Sequence, residues 1–267
     1  MAVTASATKL RRVAAIGVVL ALDITVAACS GSRTANPAPI VAAGAARVDP
    51  DTAGEITGTI TLSGTPPPNA SILMNADPVC LRENKTPQLQ ETYEVNDGKL
   101  ANVFVYIKSG LGRYTFDPST HPVIISQKNC RYFPHVFGIR VGQPLTIVND
   151  DPTLHNIHAL PKANAEFNVG QPIQGMKMNE TFTAPEVMVP LKCDVHGWMN
   201  AYVGVLDHPY FDVTGADGTF SLKGVPPGTY TIEAWHEKLG TVAQNVTLDP
   251  KAHQNLAFAF TIGAPAR

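Results

Sequence analysis

The sequence predicts an all-β protein built from two sandwiches, and three observations point there. Short stretches of period-two alternation recur along most of the 267 residues. Turn-forming clusters such as "SGTPPPN", "NDGKL", "GADGT" and "GVPPGT" separate them. No segment sustains a helical period, and "LRENKTPQLQ" supports one turn at most. Abundant Gly (21) and Pro (22) fit many short strands joined by tight turns. With 44% hydrophobic and 16% charged residues, the chain can bury a core and is not disordered. A net charge of −2, and no basic run with interleaved aromatics in the body, argue against nucleic acid as a partner.

The strands follow in order. "EITGTITL" (55–62) places Ile56, Gly58, Ile60 and Leu62 on one face, and "ANVFVYIK" (101–108) does the same with Val103, Val105 and Ile107. "PVIIS" (122–126), "GIRV" (138–141), "PLTIVND" (144–150) and "AYVGVL" (201–206) come next. "TFSL" (219–222), "GTYTIEAW" (228–235), "VAQNVTL" (242–248) and "AFAFTI" (257–262) complete the set, and the spacing predicts antiparallel sandwiches.

The N-terminus reads as a targeting segment. Lys9, Arg11 and Arg12 precede an apolar stretch (13–28), interrupted by Asp23 and Thr25, that is short for a bilayer span. It ends in "VAAC", which resembles the lipobox of bacterial lipoproteins. That resemblance implies a signal peptide over 1–28, export to the periplasm or outer envelope face, and membrane attachment through a lipidated Cys29. The mature chain then has 17 basic and 21 acidic residues, a net charge of −4. Residues 29–54 are small and rich in Pro and Ala and read as a flexible tether. With Cys29 assigned to lipid, Cys80 and Cys130 most simply form a disulfide in an oxidising compartment. Cys193 is left unpaired, which outside the cytoplasm calls for a metal or a reaction to use it.

That cysteine lies in "PLKCDVHGWMNAYV" (190–203), with Cys193, His196 and Met199 spaced Cys-x2-His-x2-Met. Upstream, "IVNDDPTLHNIHAL" (147–160) carries His155 and Asn156. One thiolate, two neutral imidazoles and a weak thioether form the donor set of type 1 copper. Together "NDDPTLHN" and "KCDVHGWM" resemble the cupredoxins, with the ligand-loop spacing of the amicyanin type, and the likeness covers roughly 120–207. It implies an eight-stranded Greek-key sandwich holding one type 1 copper, with His155, Cys193 and His196 equatorial and Met199 axial. It also implies that Asn156 ties the two ligand loops together and supports the thiolate. His196 would present an edge near the surface as the electron port, and Trp198 would either enlarge an apolar docking patch or pack inside.

The remaining candidates read more plainly. His158 is placed off the metal, His135 is a packed or surface residue, His208 caps a turn, and His236 lies on a solvated turn. Met176, Met178 and Met188 are core or loop filler. A Cys193–His196 nucleophile pair lacks an oxyanion motif and a third member. "HEKLG" (236–240) lacks the second His of a metallopeptidase motif, so an enzyme is not expected.

"FDVTGADGTFSLKGVPPGTYTIEAW" (211–235) resembles the carboxypeptidase regulatory-like, or prealbumin-like, sandwich, whose opening strands resemble 54–72 and 102–108. The organisation expected is N-terminal strands over 55–117, the cupredoxin region over 118–207 and the second sandwich over 208–267. The ligand region either interrupts that sandwich or precedes it. The function expected is single-electron transfer by an exported copper protein to a redox partner such as a c-type cytochrome or a dehydrogenase. The alternatives are a copper carrier or sensor, and a carbohydrate-binding envelope protein, for which Tyr230 and Trp235 are the obvious aromatics although Tyr230 alternates toward the core.

Overall fold

The computed structural model describes residues 46–112 and 114–263, within one compact unit spanning Val41–Arg267. The signal segment, Cys29 and most of the tether lie outside the described residues. Among those described, no helix is long and apolar enough to cross a membrane. The fold is nearly all β. In chain order its elements are β1 (Gly54–Ser63), β2 (Ser71–Ile72), α1 (Pro78–Glu83), β3 (Gln88–Leu89), β4 (Val95–Asn96), β5 (Lys99–Leu100) and β6 (Phe104–Ser109). Then come β7 (Val123–Lys128), β8 (Arg131–Phe133), β9 (Val136–Arg140), β10 (Leu145–Asn149), β11 (His155–Ala159), β12 (Phe167–Gln171), β13 (Lys177–Glu180), β14 (Glu186–Lys192) and β15 (Asn200–Leu206). The last are β16 (Phe211–Val213), β17 (Thr219–Val225), β18 (Gly228–His236), β19 (Gly240–Leu248) and β20 (His253–Thr261).

Strands β7 to β15 form one sandwich. Its sheets run β13-β10-β7-β8 and β12-β11-β14-β15-β9. Their inward residues, among them Ile125, Ile147, Ile157, Val189, Leu191 and Val203, share one core. The strands number nine rather than eight because the chain changes sheets between β8 and β9, where Pro134 has no N–H to give to a ladder. The other sandwich pairs a sheet of β17, β1, β5 and β4, with β20 parallel to β1, against the sheet β16-β6-β18-β19. Its strands therefore come from both sides of the β7–β15 segment. Ile56, Ile60, Val105, Ile107, Phe220, Tyr230 and Phe258 fill its core.

The sequence places only Val103, Val105 and Ile107 of β6 inward. In the structure both faces are buried, since Phe104 and Tyr106 are also nearly inaccessible. These two enter a third cluster with Val136, Met188 and Leu206, against which Tyr202, Phe211 and Trp235 pack. The ring of Phe104 lies against Gly204 of β15. A Cβ built at Gly204 would stand 2.3 Å from it, so only glycine fits there. Trp235 is half-buried and packs on Tyr202 with centroids 5.1 Å apart, and Tyr230 is buried in the core of the second sandwich.

Two further expectations change. Residues 46–53 belong to the fold rather than to a free tether: Ala46 bridges to Tyr114, Arg47 pairs with Asp117, and Thr52 O accepts from Lys251 N at 3.0 Å. His236 is not solvated. It is 1% exposed, stacks on Tyr93, and its Nδ1 accepts from the N–H groups of Lys238 and Leu239. Burial pushes its pKa down to about 4.

Phe104→Ala should remove the centre of the inter-sandwich layer and cost about 3–5 kcal/mol. Equilibrium urea unfolding against the unmodified chain checks this.

Candidate metal centre

The centre is built at one end of the β7–β15 sandwich. His155 is the first residue of β11, and Cys193 directly follows the last residue of β14. These two strands are adjacent and antiparallel, with His158 opposite Lys192. The loop from Cys193 to Met199 joins β14 to β15, where Lys192 faces Asn200. It closes on itself: Cys193 N donates to Met199 O at 3.1 Å and Met199 N to His196 O at 2.9 Å. Strand register and loop closure together bring His155, Cys193 and His196 to one point. Their donor atoms all lie within 4.8 Å of one another. All three are at most 2% exposed, and Met199, in the same core cluster as Cys193, is 1% exposed.

The outer nitrogen of each ring meets a carboxylate. His155 Nε2 is 2.9 Å from Asp151 Oδ2, and His196 Nε2 is 2.9 Å from Asp77 Oδ2. An ionised carboxylate only accepts, so each Nε2 carries a proton and Nδ1 is the nitrogen turned inward, a lone pair whenever the ring is neutral. Those two Nδ1 atoms stand 2.9 Å apart, with Cys193 Sγ 3.9 Å from that of His196. With both rings neutral the two lone pairs would face each other in a buried site, an arrangement that a shared cation relieves.

The sulfur is itself prepared for a positive partner. Burial pushes the Cys193 thiol up, but hydrogen bonds with His155 and His196 and from the backbone N–H groups of Asn156 and His196 outweigh it and bring it down to about 6. Burial likewise opposes charge on His155, yet Asp151 and Cys193 raise its pKa overall. Burial raises the carboxyl of Asp77, but His196, the Val79 and Cys80 N–H groups and Thr153 hold it at about 2. Asp151 is also depressed despite burial, by His155 and the N–H groups of Cys130 and Asn129.

Asn156 ties the two ligand segments together. Its Oδ1 accepts from Asp194 N at 2.7 Å and Val195 N at 3.4 Å, and faces Cys193 Sγ at 3.2 Å. Its side chain therefore presents an acceptor, not a donor, to the sulfur. Support for a thiolate comes from its main-chain N–H and from His196 N at 3.3 Å.

The expected surface edge of His196 is absent. The ring is 2% exposed because Asp77 and the disulfide cysteine Cys80 cover Nε2, with Cys80 Sγ 3.6 Å away. Cys80 and Cys130 are bonded to each other, and Cys193 is the free, buried cysteine. Trp198 is half-buried, packs on His196 with centroids 5.0 Å apart, and donates from Nε1 to Cys130 O at 3.0 Å.

The other histidines sit apart from the three donors. His158 engages Asp194 at 2.9 Å and Glu166 at 2.6 Å. His135 is held between Asn200 O and Glu237, and His208 Nδ1 accepts from Tyr210 N in a turn. Met188 lies in the inter-sandwich cluster, while Met176 and Met178 are half-buried.

No protein-family model matches the chain, and no curated protein matches it. Among solved structures it is similar to a copper-containing nitrite reductase from Thermus scotoductus SA-01, at 21% identity and a TM-score of 0.31, over 37% of this chain and 25% of that one. It therefore spans about a quarter of the length of that reductase. It is also similar to a purple cupredoxin from Nitrosopumilus maritimus, at 26% identity and a TM-score of 0.27, over 33% of this chain and 99% of that one. A third is a Cu(I) form of an amicyanin variant, at 20% identity and a TM-score of 0.29, over 38% and 97% of the two chains.

In the metal-free protein the Cys193 thiol should titrate near pH 6, well below the ordinary value of 9.0. Its folded pKa is depressed, so its contribution to stability is complete above the unfolded value and is lost as pH falls through about 6. The ultraviolet thiolate absorbance, followed against pH, checks the midpoint.

Proposed function

We propose that this protein holds one type 1 copper and carries single electrons. His155, Cys193 and His196 would be the equatorial donors, and Met199 the axial one. The observation that carries this reading is the pair of inward Nδ1 atoms 2.9 Å apart beside a thiol whose pKa is lowered to about 6. A thiolate, two imidazoles and a thioether suit copper better than a hard cation, which prefers oxygen donors. Bound there, copper would supply Cu(II)/Cu(I) cycling.

The chain's own residues would do the rest. Asp151 and Asp77 fix the two ring orientations, and the N–H groups of Asn156 and His196 stabilise charge on sulfur. Burial of all four donors keeps water away, and β11, β14 and β15 hold their positions, so little would reorganise as an electron moves. The basic, apolar N-terminal segment ending in "VAAC" supports export and a lipid anchor at Cys29. The partner on this reading is another redox protein, of the c-type cytochrome or dehydrogenase kind, and the second sandwich serves as scaffold.

Adding Cu(II) to the metal-free full chain should give an intense blue band and narrow copper hyperfine splitting in electron paramagnetic resonance. Cys193→Ser should abolish both. A colourless protein that still binds copper would instead favour a carrier. Met199→Leu should keep the blue band but raise the reduction potential, because losing the axial donor disfavours Cu(II). Protein-film voltammetry checks that shift.

A further inference from the structure

Asp77 and its helix lie outside the nine strands that build the metal-centre sandwich, between β2 and β3. Asp77 caps α1: Oδ1 accepts from Val79 N at 2.7 Å and Cys80 N at 3.3 Å. Its other oxygen accepts from Thr153 Oγ1 and His196 Nε2, both at 2.9 Å. With both oxygens committed, the carboxylate has one position open to it, and the imidazole it holds has one orientation. The segment is pinned at its far end as well. Cys80 is bonded to Cys130, and Asn84 Nδ2 donates to Asn129 O at 3.0 Å. Cys130 O in turn accepts from Trp198, whose ring packs on His196.

We propose that the segment Asp77–Asn84 is a stapled cap over the metal centre, with Asp77 as the positioning residue for His196. The cap turns Nδ1 inward and closes the outer edge of the imidazole to solvent and to reagents. Metal then leaves only when the cap lifts, and an electron partner does not make its contact at the His196 edge. This rests on the copper reading for its first test and on the metal-free protein for its second.

The first test uses the full chain, copper-loaded and reduced with ascorbate. The rate at which the Cu(I) chelator bathocuproine disulfonate strips the metal is compared among the unmodified protein, Asp77→Ala, Asp77→Asn and Cys80→Ser/Cys130→Ser. Asp77→Ala should accelerate stripping by about 10–100-fold, on the scale of the metal affinity lost when a partner behind a ligating imidazole is removed. Asp77→Asn should restore part of the protection, since its single carbonyl oxygen can accept from Nε2 only by giving up the cap on α1. The double cysteine variant should accelerate stripping with Asp77 intact. Equal rates in all four proteins would overturn the cap. If Asp77→Ala does not fold, the cysteine variant and Asp77→Asn carry the comparison.

The second test needs no copper. In the metal-free protein the Nε2–H proton resonance of His196 should exchange slowly with water, and rapidly in Asp77→Ala. Rapid exchange in the unmodified protein would overturn the cap even where the blue band is present. Slow exchange without any blue band would keep the cap and sink only the copper reading.

Discussion

Asp151 and Asp77 accept from the outer nitrogens of His155 and His196, and the character of the centre follows from those two hydrogen bonds. An imidazole offers one donor and one acceptor when neutral, so fixing the donor outward fixes the acceptor inward. Each carboxylate is itself fixed by main-chain N–H groups: Asp151 by Asn129 and Cys130, Asp77 by Val79 and Cys80. The order of causes runs from backbone to carboxylate to ring to the inward lone pair. With both rings neutral, two lone-pair nitrogens facing each other in a buried cluster are costly unless a cation or a proton sits between them. The rest of the sandwich, through strand register and a closed loop, keeps that cluster from relaxing.

The same two carboxylates join parts of the chain that are distant in sequence. Cys130 bonds to Cys80, gives its N–H to Asp151 and its carbonyl to Trp198, so it touches the surroundings of both rings. The disulfide therefore does more than shorten the unfolded chain, the usual source of its stabilisation. It ties the segment that carries Asp77 to the turn between β7 and β8, whose Cys130 carbonyl accepts from Trp198 of the loop that carries His196. The second sandwich adds rigidity from another direction, because β6 and β18 are buried between two cores rather than resting on one.

Much of this was legible in the sequence, for identifiable reasons. Alternation disclosed β1 and β19, where one face meets a core and the other does not, and it also found β10, β15 and β18, whose apolar residues on the core face keep the period although parts of the second face are buried too. It failed for β12 ("FNVGQ") and β13 ("KMNE"), which are short and largely polar, and for β14, where Pro190 breaks the pattern. It misread β6 because a strand buried on both faces has no polar side to reveal its period. At the site, Cys193, His196 and Met199 share one loop, so their spacing was visible, and cysteine counting gave the disulfide. The role of Asp77 was not visible. It lies 119 residues from His196, and the sequence around it announces only a helix start, Asp followed by Pro. Without Asp77 in view, His196 was expected at the surface.

The two-sided burial of β6 also bears on how this protein can be divided. A cut near residue 118 would release the β7–β15 sandwich as a continuous piece of chain, which makes it tempting to treat as a portable module. That piece would part from Phe104 and Tyr106, leaving an apolar scar on β9 and β15 around Gly138 and Gly204, whose lack of side chains is shaped to receive rings that are no longer there. It would also leave behind Asp77 and Cys80. That piece is continuous in sequence but not self-sufficient in structure, and the unit to transplant is the pair of sandwiches.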